Sequence, residues 1–113
     1  MAKRVLTEFG MGTSLRQRDY TGAAKRAVQD ALWHNSINMA EVFGFEKEAM
    51  QILLEVGVQE PDAVDASVLS DVFPYGNVSV SVVEGGLNIP RPDGEPTIIA
   101  NVAISVAFEM ERV

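Results

Sequence analysis

Apolar and polar residues alternate loosely over residues 2–9, the period-two signature of a strand. Gly10 and Gly12 follow and are expected to break it. Asp19 or Thr21 is placed to cap a helix that runs to about His34. Its apolar positions are Ala24, Ala27, Val28, Ala31 and Leu32, while Lys25, Arg26, Gln29 and Asp30 cover the other face. Alanines dominate the inner stripe, which allows close approach to a sheet. Residues 35–47 read as irregular, with a short turn near Glu41–Phe43.

Alternation returns over 48–58. Ile52, Leu54, Val56 and Val58 point one way, and Gln51, Leu53, Glu55 and Gly57 the other. Glu60-Pro61-Asp62 ends that strand. Asp65 then reads as the N-cap of a short helix with Val68, Leu69, Val72 and Phe73 inward, stopped by Pro74. Val78, Val80 and Val82 alternate with Ser79 and Ser81 in a third strand that ends at Glu84-Gly85-Gly86. Residues 90–96, rich in turn formers, predict an exposed loop. The last strand, 97–108, sets Ile98, Val102, Ile104, Val106 and Phe108 against Asn101, Ala103, Ser105 and Ala107.

The predicted order is β-α-β-α-β-β. It implies an α+β two-layer sandwich, with two helices on one face of a four-stranded mixed sheet and the last two strands antiparallel. That element order resembles the core of small chorismate-mutase-like and related trimeric α+β proteins, a likeness that implies no chemistry. The opposite sheet face would mix Ser79, Ser81, Gln51, Glu55, Asn101 and Ser105 with Leu53, Val83, Ile99, Ala103 and Ala107. Such a face is too apolar for open solvent and too polar for an ordinary core. A homo-oligomer interface is the expected use, a wet half-buried pocket lining the alternative.

At 113 residues the expectation is one domain, residues 1–113. A hydrophobic share of 47% against 22% charged residues places the chain among folded globular proteins. The lack of cysteine excludes disulfides, thiolate zinc sites and cysteine nucleophiles. The N-terminus has no long apolar segment and no stretch reaches membrane-spanning length, so a soluble cytoplasmic protein with no membrane partner is expected. A net charge of −7 argues against nucleic acid as a partner. Charge is unevenly placed. Residues 1–26 hold six basic and two acidic residues, a balance of +4, which leaves −11 for the remainder. An anionic partner would therefore prefer the N-terminal segment, although a solvated helix face explains the same charges.

The segment 10–21 joins the first strand to the first helix. Gly10 and Gly12 permit positive φ or a close backbone approach. Arg16 and Arg18 are the candidate grips for a carboxylate or phosphate, with Thr13, Ser14 and Thr21 as hydroxyl donors. The spacing matches neither a P-loop nor a dinucleotide fingerprint, and a plain strand-to-helix turn is the competing account. His34, the one histidine, sits at a helix end that favours its charged form, and it is a candidate general base. Glu84 is a candidate acid or base at a strand end. One histidine and no cysteine leave no metal site predicted.

Phe9-Gly10-Met11-Gly12, Thr21-Gly22-Ala23-Ala24-Lys25-Arg26-Ala27-Val28, Phe73-Pro74-Tyr75-Gly76, Val83-Glu84-Gly85-Gly86 and Ile99-Ala100-Asn101 together resemble a family of short bacterial and plant conserved hypothetical proteins. That family carries the N-terminal motif Gly-x-Gly-x-Asp-x-His-Gly. Gly10 and Gly12 match it, while Ser14, Arg16 and Gln17 stand at its Asp, His and last Gly. The resemblance implies no particular activity or cofactor. The exchange of an Asp/His pair for Ser14 and Arg16 suggests an anion-binding variant of the same site. Two expectations follow: an oligomer that binds an anionic metabolite at residues 10–21, or a non-catalytic assembly module.

Overall fold

The computed structural model describes residues 2–15, 17–33, 50–73 and 76–109. Strand β1 spans Ala2–Ser14, helix α1 Tyr20–Trp33 and strand β2 Gln51–Val58. A 3-10 turn at Pro61–Ala63 leads to the short helix α2, Ala66–Ser70. Strands β3, Asn77–Glu84, β4, Leu87–Ile89, and β5, Thr97–Glu109, complete the chain. The sheet order is β1-β5-β2-β3, with β4 also on β5. Strand β5 runs antiparallel to β1, β2 and β4, and β2 runs parallel to β3.

The predicted α+β architecture with a mixed sheet holds, but the sheet has five strands rather than four. The extra one, β4, is three residues long, too short for alternation to reveal. It continues the line of β2 along β5: β2 pairs with residues 101–107 and β4 with 97–99. The chain reaches that line by a sidestep after β3. A Cβ on Gly85 would lie 3.1 Å from the Gly57 Cα, and one on Gly86, at φ +63°, would strike the Ile99 carbonyl. The Gly85 N–H donates to Val58 O (2.9 Å), and the Gln59 amide donates to the carbonyls of Gly85 (3.1 Å) and Gly86 (3.2 Å).

Gly10 and Gly12 do not end β1, which continues to Ser14. They serve a packing need instead. A Cβ on Gly10 would strike Ala27 O and lie 2.6 Å from Ala31 N. One on Gly12 would strike Ala23 O and Ala27 N. The alanine stripe Ala23, Ala27, Ala31 thus rests directly on the β1 backbone, and all three are fully buried. Two side chains of α1 add polar ties. Asp30 Oδ2 accepts from Met11 N (3.0 Å), and Arg26 Nη1 donates to Thr13 O (2.6 Å).

The remaining core lies between the helices and the inner sheet face. Ile52, Leu54, Val56 and Val58 of β2 meet Ile98, Ala100, Val102, Ile104 and Val106 of β5, with Val28, Met50 and Leu69. Burial of each large aliphatic side chain contributes about 1.5–3 kcal/mol. Asp19 takes the α1 cap, accepting from Gly22 N at 2.8 Å. Asp65 caps α2 as expected, accepting from Ser67 N (3.0 Å) and Ser67 Oγ (2.6 Å). His34, residues 35–47, Pro74 and Tyr75 lie outside the described residues.

Gly12→Ala should force α1 off β1 and cost about 1–3 kcal/mol, read as a drop in Tm of about 4 °C per kcal/mol. A Tm within a degree of wild type would mean that the helix sits farther out. The two Ser67 hydrogen bonds hold the Asp65 carboxyl below the usual carboxylate value. Its capping stabilisation is therefore present above the unfolded-state pKa and fades as pH falls through the lower folded value. Carboxyl titration by NMR should show this depression in wild type and a smaller one in Ser67→Ala, which loses the hydroxyl donor but keeps the backbone N–H.

Candidate functional site

The carboxyl ends of β1 and β2, the start of β5 and the N-terminus of α1 converge at one end of the sheet. In open sheets this end is where ligands usually sit. The local chemistry is set by the chain's turn from β1 into α1. Ser14 is buried, and its hydroxyl accepts from Asp19 N at 3.1 Å. The Leu15 carbonyl accepts from Arg91 Nη1 (3.2 Å) and Thr97 Oγ1 (3.4 Å), tying the turn to the 90–96 loop and to β5. Thr21 Oγ1 donates to Ala63 O (3.3 Å) and accepts from Asp65 N (2.9 Å), clamping α1 to the segment after β2.

Arg18 takes φ +50°, the one non-glycine residue with positive φ among the described residues. Its guanidinium bridges Glu60 (3.1 Å) and Glu95 (3.6 Å). The Tyr20 hydroxyl, by hydrogen bonding, and then Glu60 raise its pKa above the ordinary arginine value. Tyr20 is 3% exposed, and its hydroxyl accepts from Asn88 Nδ2 at 2.6 Å. The Asn88 Oδ1 is buried with no hydrogen-bond partner among the described residues.

These contacts redistribute the predicted roles. Gly10 and Gly12 face α1. Ser14 and Thr21 hold backbone groups, and Arg18 is shared by two carboxylates. The Asp19 carboxylate occupies the start of α1, where an anion would gain most from unpaired N–H groups. Arg16 and His34 lie outside the described residues. Glu84 stands exposed at the end of β3, three strands from β1 and roughly 14 Å across the sheet. What remains open at the turn is a concavity of about 490 Å3 lined by Thr13, Ser14, Leu15, Gln17 and Arg26. Arg26 reads in sequence as a solvated helix residue. Its signal was the spacing of Arg26 and Asp30 beside an all-alanine stripe, which puts both at the border of the packed face. Among the described residues, no three His, Asp or Glu side chains converge to hold a metal ion. None of the described helices is long and apolar enough to cross a membrane.

The second feature is the outer sheet face. Phe9 (70% exposed), Met11 (54%), Val83 (52%) and Leu87 (58%) stand out on it. The register places Phe9 opposite Ala103, Met11 opposite Asn101 and Leu87 opposite Ile99, so they share one side of the sheet with the predicted mixed face. Ser105 is an exception: at 6% exposed it is already covered within the chain, with Thr7 Oγ1 at 3.4 Å. Near it, Gln51, Leu53, Asn77, Ser79, Ser105 and Ala107 line a shallow hollow of about 420 Å3.

A family model described as a conserved hypothetical protein, Lin0512_fam, matches residues 4–106. The chain belongs to the Lin0512_fam family. A crystal structure of an FtsZ-like protein of unknown function from Nostoc punctiforme PCC 73102 is similar to this Lin0512_fam chain throughout. The two are 30% identical with a TM-score of 0.86, over 96% of this chain and 98% of the other. No curated protein matches the chain.

Arg18→Gly should be more stable than Arg18→Ala by about 1 kcal/mol, because both lose the ion pairs but only glycine relieves the left-handed backbone. Equal unfolding midpoints for the two variants would show that φ at residue 18 relaxes without cost.

Proposed function

We propose that this Lin0512_fam protein is an assembly module that works as a homo-oligomer, with the outer sheet face of one copy covered by another. The observation that carries this reading is the set of large apolar side chains, Phe9, Met11, Val83 and Leu87, that stand more than half exposed on a single face. Isolated exposed apolar residues are ordinary, but a shared patch on a flat sheet marks a contact surface. Glu55, Asn101, Ser79 and Ser81 are interspersed on the same face, the mixed composition of a surface that meets a partner rather than a permanent core. The inner face already has its helix layer, so a second copy of this face supplies the missing one in the simplest closed arrangement.

Anion binding is the second reading, and it rests on Arg26 rather than on Arg18. Arg26 lines the concavity beside Thr13, Ser14 and Gln17, and uses one N–H on Thr13 O. A guanidinium has five N–H donors, so most of its capacity is uncommitted. Arg16, which stands at the His position of the resembled motif, would add charge to the same turn. Thr21, Gly10 and Gly12 would support that site from outside, through the clamp and the helix packing, without touching the ligand.

The mass of the native protein in solution should exceed the 12.3 kDa of one chain. Phe9→Asp combined with Leu87→Asp should reduce it, because each charge would enter the covered face without a partner. A wild-type protein that stays monomeric at every concentration overturns the assembly reading. For the anion, inorganic phosphate should raise the Tm of wild type and leave Arg26→Met unmoved. A shift of the same size in both proteins removes the Arg26 site.

A further inference from the structure

The two edges of the sheet are treated differently. Strand β1 carries Lys3, Arg4 and Glu8 and a register shift between Arg4 and Leu6. Its outward backbone is also occupied, since Met11 N–H goes to Asp30 and Thr13 C=O to Arg26. Charges, irregularity and capping side chains are the usual means of blocking an edge. Strand β3 has none of them before its last residue, Glu84. Residues 77–83, Asn-Val-Ser-Val-Ser-Val-Val, contain no charge and no proline. The pairing with β2 is continuous from Asn77 to Glu84, without a bulge.

The direction of the free groups follows from two hydrogen bonds. Asn77 N donates to Met50 O (2.8 Å) and Gly85 N donates to Val58 O (2.9 Å). Backbone groups alternate between the two edges of a strand, so odd-numbered residues from 77 to 85 face β2. The N–H and C=O groups of Val78, Val80 and Val82 face outward, and among the described residues nothing pairs with them. Their side chains are half-buried, whereas the inward residues of β2 and β5 are at most 4% exposed. Among the described residues the helix layer covers this edge only in part, and an apolar seam runs from the core out to it.

We infer that two copies of this chain join edge to edge through β3, antiparallel about a twofold axis at Val80. The sequence around that axis is palindromic: Val78-Ser79-Val80-Ser81-Val82 reads the same in both directions. Antiparallel pairing about Val80 sets Val78 opposite Val82 of the partner subunit and Ser79 opposite the partner's Ser81. Valines meet valines on the helix side and serines meet serines on the other, so both faces of the joined sheet stay in register. Each copy carries a net charge of −7 and repels the other at long range. The charge-free stretch 77–83 is where two such chains can approach, and the nearest acid, Glu84, falls opposite Gly76 of the partner subunit, past the palindrome. The joint is separate from the stacking of outer faces: one extends a sheet and the other covers it.

The test is amide hydrogen exchange on the wild-type chain at high and low concentration, together with its mass in solution. Association through this edge should slow the Val78, Val80 and Val82 amides at least about ten-fold at high concentration, while those of Ser79 and Ser81 are protected at both. Ser79→Lys with Ser81→Lys puts lysine opposite lysine at exposed positions that leave the fold intact, and should weaken the pairing about ten-fold or more. Val80→Pro should do the same, since its N–H is not used by β2 and proline is tolerated at such a position. The outer-face variant Phe9→Asp/Leu87→Asp should keep the concentration-dependent protection of β3. A monomeric wild type overturns the inference. So does an oligomer whose Val78, Val80 and Val82 amides exchange freely, an outcome that leaves outer-face assembly standing. Protection that survives the lysine substitutions also overturns it, and assigns the edge to a segment of the same chain.

Discussion

Helix α1 lies on β1 backbone against backbone, with only glycine and alanine at the contact, and this close approach sets the positions of the other elements. Gly10 and Gly12 on the strand, and Ala23, Ala27 and Ala31 on the helix, remove the spacers that normally hold the layers about 10 Å apart. Close approach brings Arg26 and Asp30 within hydrogen-bonding range of the β1 edge. It thereby fixes where the chain turns at Ser14, where α1 begins and what Arg26 lines. A single methyl group at either glycine would disturb all of these at once.

The turn that follows uses its polar groups on itself. Ser14, Asp19, Thr21 and Arg18 each bind another part of the chain, and together they fasten the start of α1 to the ends of β1 and β2 and to the 90–96 loop. The ion pairs are exposed and contribute little individually. Their effect is to position the segment, and the left-handed Arg18 is the backbone feature that lets its side chain reach Glu60 and Glu95. The unpartnered Asn88 Oδ1 beside Tyr20 is the one buried side-chain oxygen in the described residues that this network leaves over. At this end Asp19 takes the helix terminus, while Arg26 lines the concavity beside it.

A two-layer sandwich has helices on one side only, so its other sheet face must be polar or must find cover. Here it is neither polar throughout nor covered by the described residues. The edges show the same asymmetry, with β1 guarded and β3 bare among the described residues. Both features are what the proposed association of copies would use, and a fold of this size gains burial beyond its own small core in that way.

Legible along the chain alone are the α+β class, both helices, Asp65 as a cap, the inward faces of β2 and β5 and the mixed composition of the outer face. These follow from periodicity and local capping, which depend only on neighbours along the chain. The sequence also holds both explanations of Gly10 and Gly12, flexible loop or close approach, without choosing between them. Packing makes that choice, because the atoms concerned belong to Ala23, Ala27 and Ala31, more than ten residues away. The same holds for β4, whose three residues form a strand only because β5 offers a free stretch beside β2. It holds equally for Arg18, whose two carboxylate partners come from the end of β2 and the 90–96 loop. Local pattern reports which face a residue prefers; which groups meet across the fold is set by packing, and packing is a property of the whole chain.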